Sequence, residues 1–363
     1  MNPGPTMLAI VPDAFGGRGG IAQYNRDFLG AVADAGTFSS IVVLPRNAPD
    51  PYTMPKNIRQ TTPEPSKVRY TLAALQTALL MPVDVVFCGH LFMSPLALAI
   101  ARLKRAKLIV QTHGVEAWPQ PKPAQRKAVE AADLVLCVSR HTRAAVLSWA
   151  AISPERVLVL PNTVRDEFSP GDGSKVRAAL GLERRRVLLT VGGMNSEHRY
   201  KGQDRIIAAI PRLVAMGHDV HYMVVGEGDD QPRLEALAVK ERVKHRVHFL
   251  GPAPSRELAD LYRAADLYVM PSTGEGFGIA FLEAMASGTP AMGLNIAGAK
   301  DVLADGELGL CVAEPDFVDE LHRALTAPKP DPDALATAAR ARFGRVPFGA
   351  GVRAALTRVM EPV

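Results

Sequence analysis

Glu275 and Glu283 stand eight residues apart in Glu-Gly-Phe-Gly-Ile-Ala-Phe-Leu-Glu, where a glycine-bearing loop gives way to an alanine-rich segment of helical period. A strand-length apolar run, Leu267 to Met270, precedes the loop. Glycines that open a helix after a strand aim free N–H groups and the positive end of the helix dipole at an anion, most often phosphate. A carboxylate beside that phosphate would be repelled. The two acids are better explained as acceptors for hydroxyls on either side of it, since an ionised carboxylate takes both protons of a vicinal diol. Sugar, pyrophosphate, ribose is the ligand order that fits. A glycosidase with acid and nucleophile flanking an anomeric carbon is the other chemistry open to paired glutamates; the phosphate-facing helix start between them argues against it.

A pyrophosphate calls for a cation, and one loop offers two. After Val191 the chain reads Gly192-Gly193-Met194-Asn195-Ser196-Glu197-His198-Arg199-Tyr200-Lys201-Gly202 before entering a helical pattern. Lys201-Gly202 at a helix start combines a point charge with amides facing the same anion; Arg199 is the second candidate, and a solvated loop charge is the alternative for each. Gly226, just after a run ending at Val225, repeats close backbone approach at a strand exit, although alone it is a turn. His113 follows the run ending at Thr112, where ligands meet such sheets, and a satisfied core or surface histidine is the alternative.

The first glycine loop, Gly16-Gly17-Arg18-Gly19-Gly20, leads into a helix with Tyr24, Phe28, Leu29 and Val32 on its apolar side. Gly17, Gly19 and Ala22 also match the dinucleotide fingerprint G-x-G-x-x-A, so a nicotinamide-dependent enzyme is a competing reading. The match is poor. Pro12 to Phe15 separate strand from glycines, and the second strand ends in Leu44-Pro45-Arg46 rather than in an acid.

These loops need parallel strands to carry them. Short β-branched runs alternate with helical patterns along the whole chain, which predicts an α/β protein. The strand candidates of the first half are Leu8–Val11, Ile41–Leu44, Val83–Cys88, Lys107–Thr112, Leu134–Val138 and Val157–Leu160. A second series runs Arg186–Val191, Val220–Val225, Val247–Leu250, Leu267–Met270, Pro290–Leu294 and Leu308–Val312. Turn formers crowd residues 161–173, read as an interdomain linker. Two Rossmann-like domains are expected, 1–166 and 167–345, with sheets facing across a cleft, and 346–363 as a C-terminal helix that can cross back to the first domain. The segment from Asp331 onward reads as helical with a break at Pro347.

At 363 residues, 47% apolar and 22% charged, the chain has the composition of a globular protein with material for two cores, and no nucleic-acid partner is expected. Residues 1–166 carry 18 Lys and Arg against 11 Asp and Glu, whereas 167–363 carry 24 against 26, so the net charge of +5 resides in the first half. A basic first domain suits an anionic acceptor or peripheral contact with the inner membrane leaflet, and a mildly basic solvated face is the equal alternative. Val83 to Leu103 is broken by Asp84, Gly89, His90 and Ser94-Pro95, so it reads as strand, loop and helix rather than a span. Met1 to Pro5 lacks the basic residues of a leader, and the cytoplasm is the default compartment. Cys88, Cys137 and Cys311 are isolated and read as buried free thiols. Asp331-Pro332-Asp333 reads as a turn and helix cap, and no metal is expected.

Taken together, the Glu275-x7-Glu283 segment, the Arg199-Tyr200-Lys201-Gly202 loop, Gly19-Gly20, Thr112-His113-Gly114 and Pro161-Asn162-Thr163 with Phe168 resemble the retaining glycosyltransferases of family 4, with the GT-B fold. The resemblance runs from about residue 8 to residue 315. It implies that Glu275 contacts hydroxyls of the transferred sugar, Glu283 the ribose, and the amides of Phe277, Gly278 and Ile279 the sugar and phosphate. Lys201 would neutralise the departing pyrophosphate, Gly19 and Gly20 would cover it from the first domain, and His113 would lie over the sugar. Residues around His248 to Gly251 would hold the base. The family usually has an arginine where Gly193 stands; Arg199 or Arg18 are the candidates to replace it.

The resemblance thus implies a metal-independent, retaining hexosyltransferase with no cofactor beyond its nucleoside diphosphate-sugar donor. Its acceptor, open to being lipid-linked, would belong to cell-envelope or exopolysaccharide assembly. Departure and attack on one face of the sugar would need no protein nucleophile. A noncatalytic nucleotide-sugar binder and a sugar-nucleotide epimerase are the competing readings.

Overall fold

Runs such as Met-Leu-Ala-Ile-Val and Val-Leu-Leu-Thr-Val have no polar face to give to water, which suits parallel strands covered on both sides. In the computed structural model, which describes residues 4–361, these runs form two wholly parallel sheets. The described residues divide into two compact units, one taking those up to Thr163 and from Val346 onward, the other Val164–Arg345.

The first unit holds β1 (Thr6–Val11), β2 (Ser40–Pro45), β3 (Ile58–Gln60), β4 (Val85–Cys88), β5 (Lys107–Thr112), β6 (Leu134–Cys137) and β7 (Val157–Val159), in the order β3-β2-β1-β4-β5-β6-β7. Every residue of β1 is buried. One face packs Leu8, Ile10, Val86 and Val110 under the helices; on the other, Phe28 stacks on Phe87 with ring centroids 4.4 Å apart. β3 has no counterpart among the expected strands. Only Ile58 of its three residues is buried, so it carries almost no apolar signal and exists by pairing with β2.

The second unit holds β8 (Arg186–Val191), β9 (Val220–Val225), β10 (Val247–Gly251), β11 (Leu267–Met270), β12 (Ala291–Leu294) and β13 (Leu310–Val312), in the order β10-β9-β8-β11-β12-β13. In both sheets the strand order reverses beside the first strand, between β1 and β4 and between β8 and β11. Loops that leave the carboxyl ends of strands at such a switch diverge and open a crevice, the usual place for a ligand.

The division between the units falls inside the turn-rich stretch, after Thr163, and one expected helix break shifts. The turn-rich stretch 161–173 is packed: Val164 and Phe168 are fully buried, Phe168 meets the Tyr262 ring edge-on at 5.8 Å, and Arg263 Nε donates to the Ser169 carbonyl at 2.8 Å. Burying a phenylalanine is worth about 1.5–3 kcal/mol, which outweighs the turn-forming composition around it. The expected break at Pro347 lies instead at Gly344, between helices Pro332–Phe343 and Arg345–Met360. Pro347 falls in the first turn of the second helix, where a missing N–H costs nothing. That helix packs in the first unit, with Phe348 edge-on to Tyr24 at 6.0 Å.

Cys88 and Cys137 are buried, Cys311 is half-buried, and all three are free. Among the described residues no helix is long and apolar enough to cross a membrane. The Asp331 carboxylate accepts from the Ala334 amide at 2.7 Å, the cap its sequence predicts.

Candidate active site

The loop from β11 enters helix Ile279–Ala286 through Gly278, whose φ of +92° is one that side chains rarely adopt. A Cβ there would also stand 2.7 Å from the Phe281 ring. Glycine brings no capping side chain, so no side chain takes the first amides of the helix, although the third, that of Phe281, donates to the Gly278 carbonyl at 3.0 Å. Glu283 lies one turn on, 5% exposed. Its Oε2 accepts from the Tyr262 hydroxyl at 3.0 Å, and Arg165 Nη2 stands 3.8 Å from its Oε1. Arg165 is itself held by Glu167 at 3.0 Å and Ser255 at 2.8 Å. Burial and the Glu283 carboxylate hold the Tyr262 phenol well above its ordinary value, so it stays a donor.

Glu275 occupies the same loop. Lys201 Nζ is 3.7 Å from Glu275 Oε1, with both side chains under one-fifth exposed. That oxygen is buried and, among the described residues, takes no hydrogen bond from the protein. The two loops are joined: the Thr273 amide donates to the Tyr200 carbonyl at 2.9 Å. On the other side Gly298 donates its N–H to the Glu275 carbonyl at 2.9 Å, and a Cβ at Gly298 would lie 2.1 Å from the Gly276 carbonyl oxygen. Gly298 is a positioning residue that sequence reasoning missed, because Ala297-Gly298-Ala299 reads only as a weak helix start.

The Lys201 ammonium lies against the exit of β8, where a Cβ on Gly192 would be 3.3 Å from Nζ. Gly226 sits beside it with φ +135°, and a Cβ there would strike the Gly192 carbonyl oxygen at 2.2 Å. Gly193 is different. A Cβ at that position meets nothing closer than 3.7 Å, so glycine is not required by packing. Phe277 turns its ring inward, edge-on to Phe343 at 5.4 Å, and leaves its backbone to the loop. The structure therefore gathers Lys201, Glu275, Gly193, Gly226, Phe277, Gly278, Ile279 and Glu283 around the exits of β8 and β11.

Arg199 is placed otherwise. Its guanidinium bonds the buried Asp230 at 2.9 and 2.7 Å, and Asp230 is gripped from the other side by Arg233. The Arg233 and Arg199 guanidinia hold that carboxyl below its usual value against the cost of burial. Arg18 pairs with Asp50 at 2.7 Å in the first unit. Of the stretch 248–251, only Gly251 reaches the carboxyl edge, where it accepts from the Gly226 amide at 2.9 Å; His248 bonds His221 at 3.0 Å near the other end of the strand.

In the first unit Gly19 opens helix Gly19–Asp34 without a side-chain cap, and a Cβ on Gly19 or Gly20 would meet nothing within 4 Å. Their backbone is open to approach. They border a hollow of about 300 Å³ lined also by Asp13, Arg46, His90 and Phe92. Asp13 Oδ1 and Arg46 Nε are buried there with no hydrogen-bond partner among the described residues. His113 Nε2 donates to the Gly89 carbonyl at 2.9 Å, which fixes its tautomer, and burial lowers its pKa. His90, 5.7 Å away between ring centres, is pushed down to about 4 by burial and by His113. Sequence reasoning passed over His90 as a loop residue; its signal was a position just after β4, at the switch.

Residues 185–338 match the family model described as "Glycosyl transferases group 1", and residues 18–168 match "Glycosyltransferase Family 4". The chain belongs to the group 1 glycosyltransferases, and its fold is GT-B: two Rossmann-like units with parallel sheets. It is similar to a D-inositol 3-phosphate glycosyltransferase of Frankia alni, 29% identical over 68% of this chain and 66% of that protein. It is also 29% identical, over 88% of both chains, to a GDP-mannose-dependent alpha-(1-6)-phosphatidylinositol monomannoside mannosyltransferase of Mycolicibacterium smegmatis. The first three inositol-phosphate transferases are spanned over only 45% to 66% of their length. Anabaena Alr3699/HepE, solved in complex with UDP-glucose, shares the fold at a TM-score of 0.74 and 20% identity, with 97% of this chain and 99% of that one covered.

Proposed function

We propose that this protein transfers a hexose-type sugar, with retention and without a metal, from a nucleoside diphosphate-sugar to an acceptor of cell-envelope or exopolysaccharide assembly. The observation that carries the reading is the Glu275 Oε1 atom: a buried carboxylate oxygen with an ammonium at 3.7 Å and no hydrogen bond among the described residues, beside a helix start without a side-chain cap. A sugar hydroxyl supplies the proton this acceptor needs. The open amides at 277–279 take phosphate oxygens, Glu283 takes the ribose diol, and Lys201 balances the charge that grows on the leaving diphosphate. Catalysis then rests on positioning and leaving-group stabilisation, with the diphosphate oxygen receiving the acceptor's proton. The relatives named for inositol phosphate and for GDP-mannose support a sugar-nucleotide donor and an acceptor that bears phosphate. The hollow bordered by Asp13 and Arg46 offers such an acceptor a hydroxyl partner and a cation.

A thermal-shift panel of UDP-, GDP- and ADP-sugars tests the donor. The matching donor at 100 times its Kd is expected to add about 2.7 kcal/mol, and no shift with any of them would end the reading.

One observation favours a second reading. Gly193 brings no cation to the β8 exit and Arg199 is committed to Asp230, which suits a nucleotide-sugar binder with slow turnover. Because the backbone at 193 has room, Gly193→Arg is expected to fold normally and to raise diphosphate release about 10- to 100-fold, the scale of one preorganised electrostatic contact. Release left at the wild-type rate would show that the missing arginine is not what limits turnover.

A further inference from the structure

A second cavity lies at the opposite end of the second unit's sheet. It has a volume of about 230 Å³ and is bounded by the amino-terminal ends of β8, β11, β12 and β13 and by the turn through Pro328, Lys329 and Pro330. The donor loops leave the carboxyl ends of the same strands, so the two sites are separated by the length of the sheet. The lining is apolar, and Leu310, 41% exposed, presents part of it to solvent.

Its rim is cationic. Asp266, 7% exposed, is bonded by Arg177 at 2.8 Å and by Lys329, takes the Val187 amide at 2.7 Å, and has Arg186 at 3.8 Å. One carboxylate thus faces three cations. The other acid of the lining, Glu307, is paired with Arg342 at 2.8 Å. Arg186 and Lys329 are each about half exposed, at 51% and 47%, so their positive charge is within reach of a molecule in the cavity.

We infer that this cavity binds a small monocarboxylate with an apolar body. The carboxylate meets Arg186 and Lys329 at the rim and the body covers Leu310 and the proline-rich turn. A second cation would be repelled by the surplus charge, and a purely polar anion would leave the apolar lining wet. An apolar cavity of about 150 Å³ accommodates benzene, so this one has room for a ring or a short chain.

Hexanoate titrated into the full chain by calorimetry is the test. Saturable binding with Kd on the order of 1 mM is expected. Hexanol, which lacks the charge, and acetate, which lacks the body, should each bind at least about tenfold more weakly. Leu310→Glu puts a carboxylate on exposed lining and should abolish hexanoate binding, while Arg186→Gln should weaken it about tenfold. Melting of each variant without ligand shows that it is folded. Absence of saturable binding, hexanol binding as tightly as hexanoate, or hexanoate binding that survives Leu310→Glu would each overturn the proposal. Diphosphate-sugar binding does not enter these readouts, so their failure leaves the donor site untouched.

Discussion

Lys201→Met is expected to lower kcat by about 10²- to 10³-fold, read as nucleoside diphosphate release, with KM changing far less. The ammonium is held between the β8 exit and Glu275, in surroundings that leave it 18% exposed. A charge shielded from water acts more strongly on a developing anion, and it costs no reorganisation when the diphosphate departs. Methionine keeps the apolar stem and removes only the charge. It also leaves Glu275 without the cation at 3.7 Å, so some loss of melting temperature accompanies it. Lys201→Arg separates the two effects, because restoring a positive charge should recover stability and part of kcat. A KM rise with unchanged kcat would place Lys201 in ground-state binding and refute the leaving-group role.

Glu283→Gln should weaken nucleoside diphosphate binding about 100-fold by calorimetry, which corresponds to ~2.7 kcal/mol. Glutamine has the same shape, and its amide oxygen still accepts from Tyr262, which reaches the present side chain at 3.0 Å. The charge is lost, and an NH₂ donor takes the place of a carboxylate acceptor. Each hydrogen bond to an ionised group is worth about 1.5–3 kcal/mol, so a diol bonded to this carboxylate loses one or two such contacts. Arg165 keeps Glu167 at 3.0 Å, which limits the damage to the fold. Nucleotide affinity equal to the wild type would show that Glu283 does not hold the ribose.

Much of this site is visible in the chain itself. The run Leu267–Met270, the glycines at 274, 276 and 278 and the apolar helix to Ala286 define strand, loop and uncapped helix start by local rules of period and backbone freedom. The same holds for Lys201 before Gln203–Ala215 and for His113 after β5. Where local signals were thin, the reading missed or slipped: β3 is three residues with one buried side chain, and the break expected at Pro347 fell at Gly344.

Partnerships across distance were not legible. Neither Arg165 nor Tyr262 carries a local signal of its role, yet both hold Glu283. Arg199 looked like a second catalytic cation, and Asp230, 31 residues away, takes it.

What the amino-acid sequence determined alone is the set of elements and the type of loop each strand ends in, because periodicity, propensity and glycine conformation act over a few residues. The tertiary structure decided which strands became neighbours. Pairing of Leu188 with Leu267 places β8 beside β11 and so brings Lys201 to Glu275. Burial then chose the partners of each charge, since a carboxylate out of water must take the donors that packing leaves within reach.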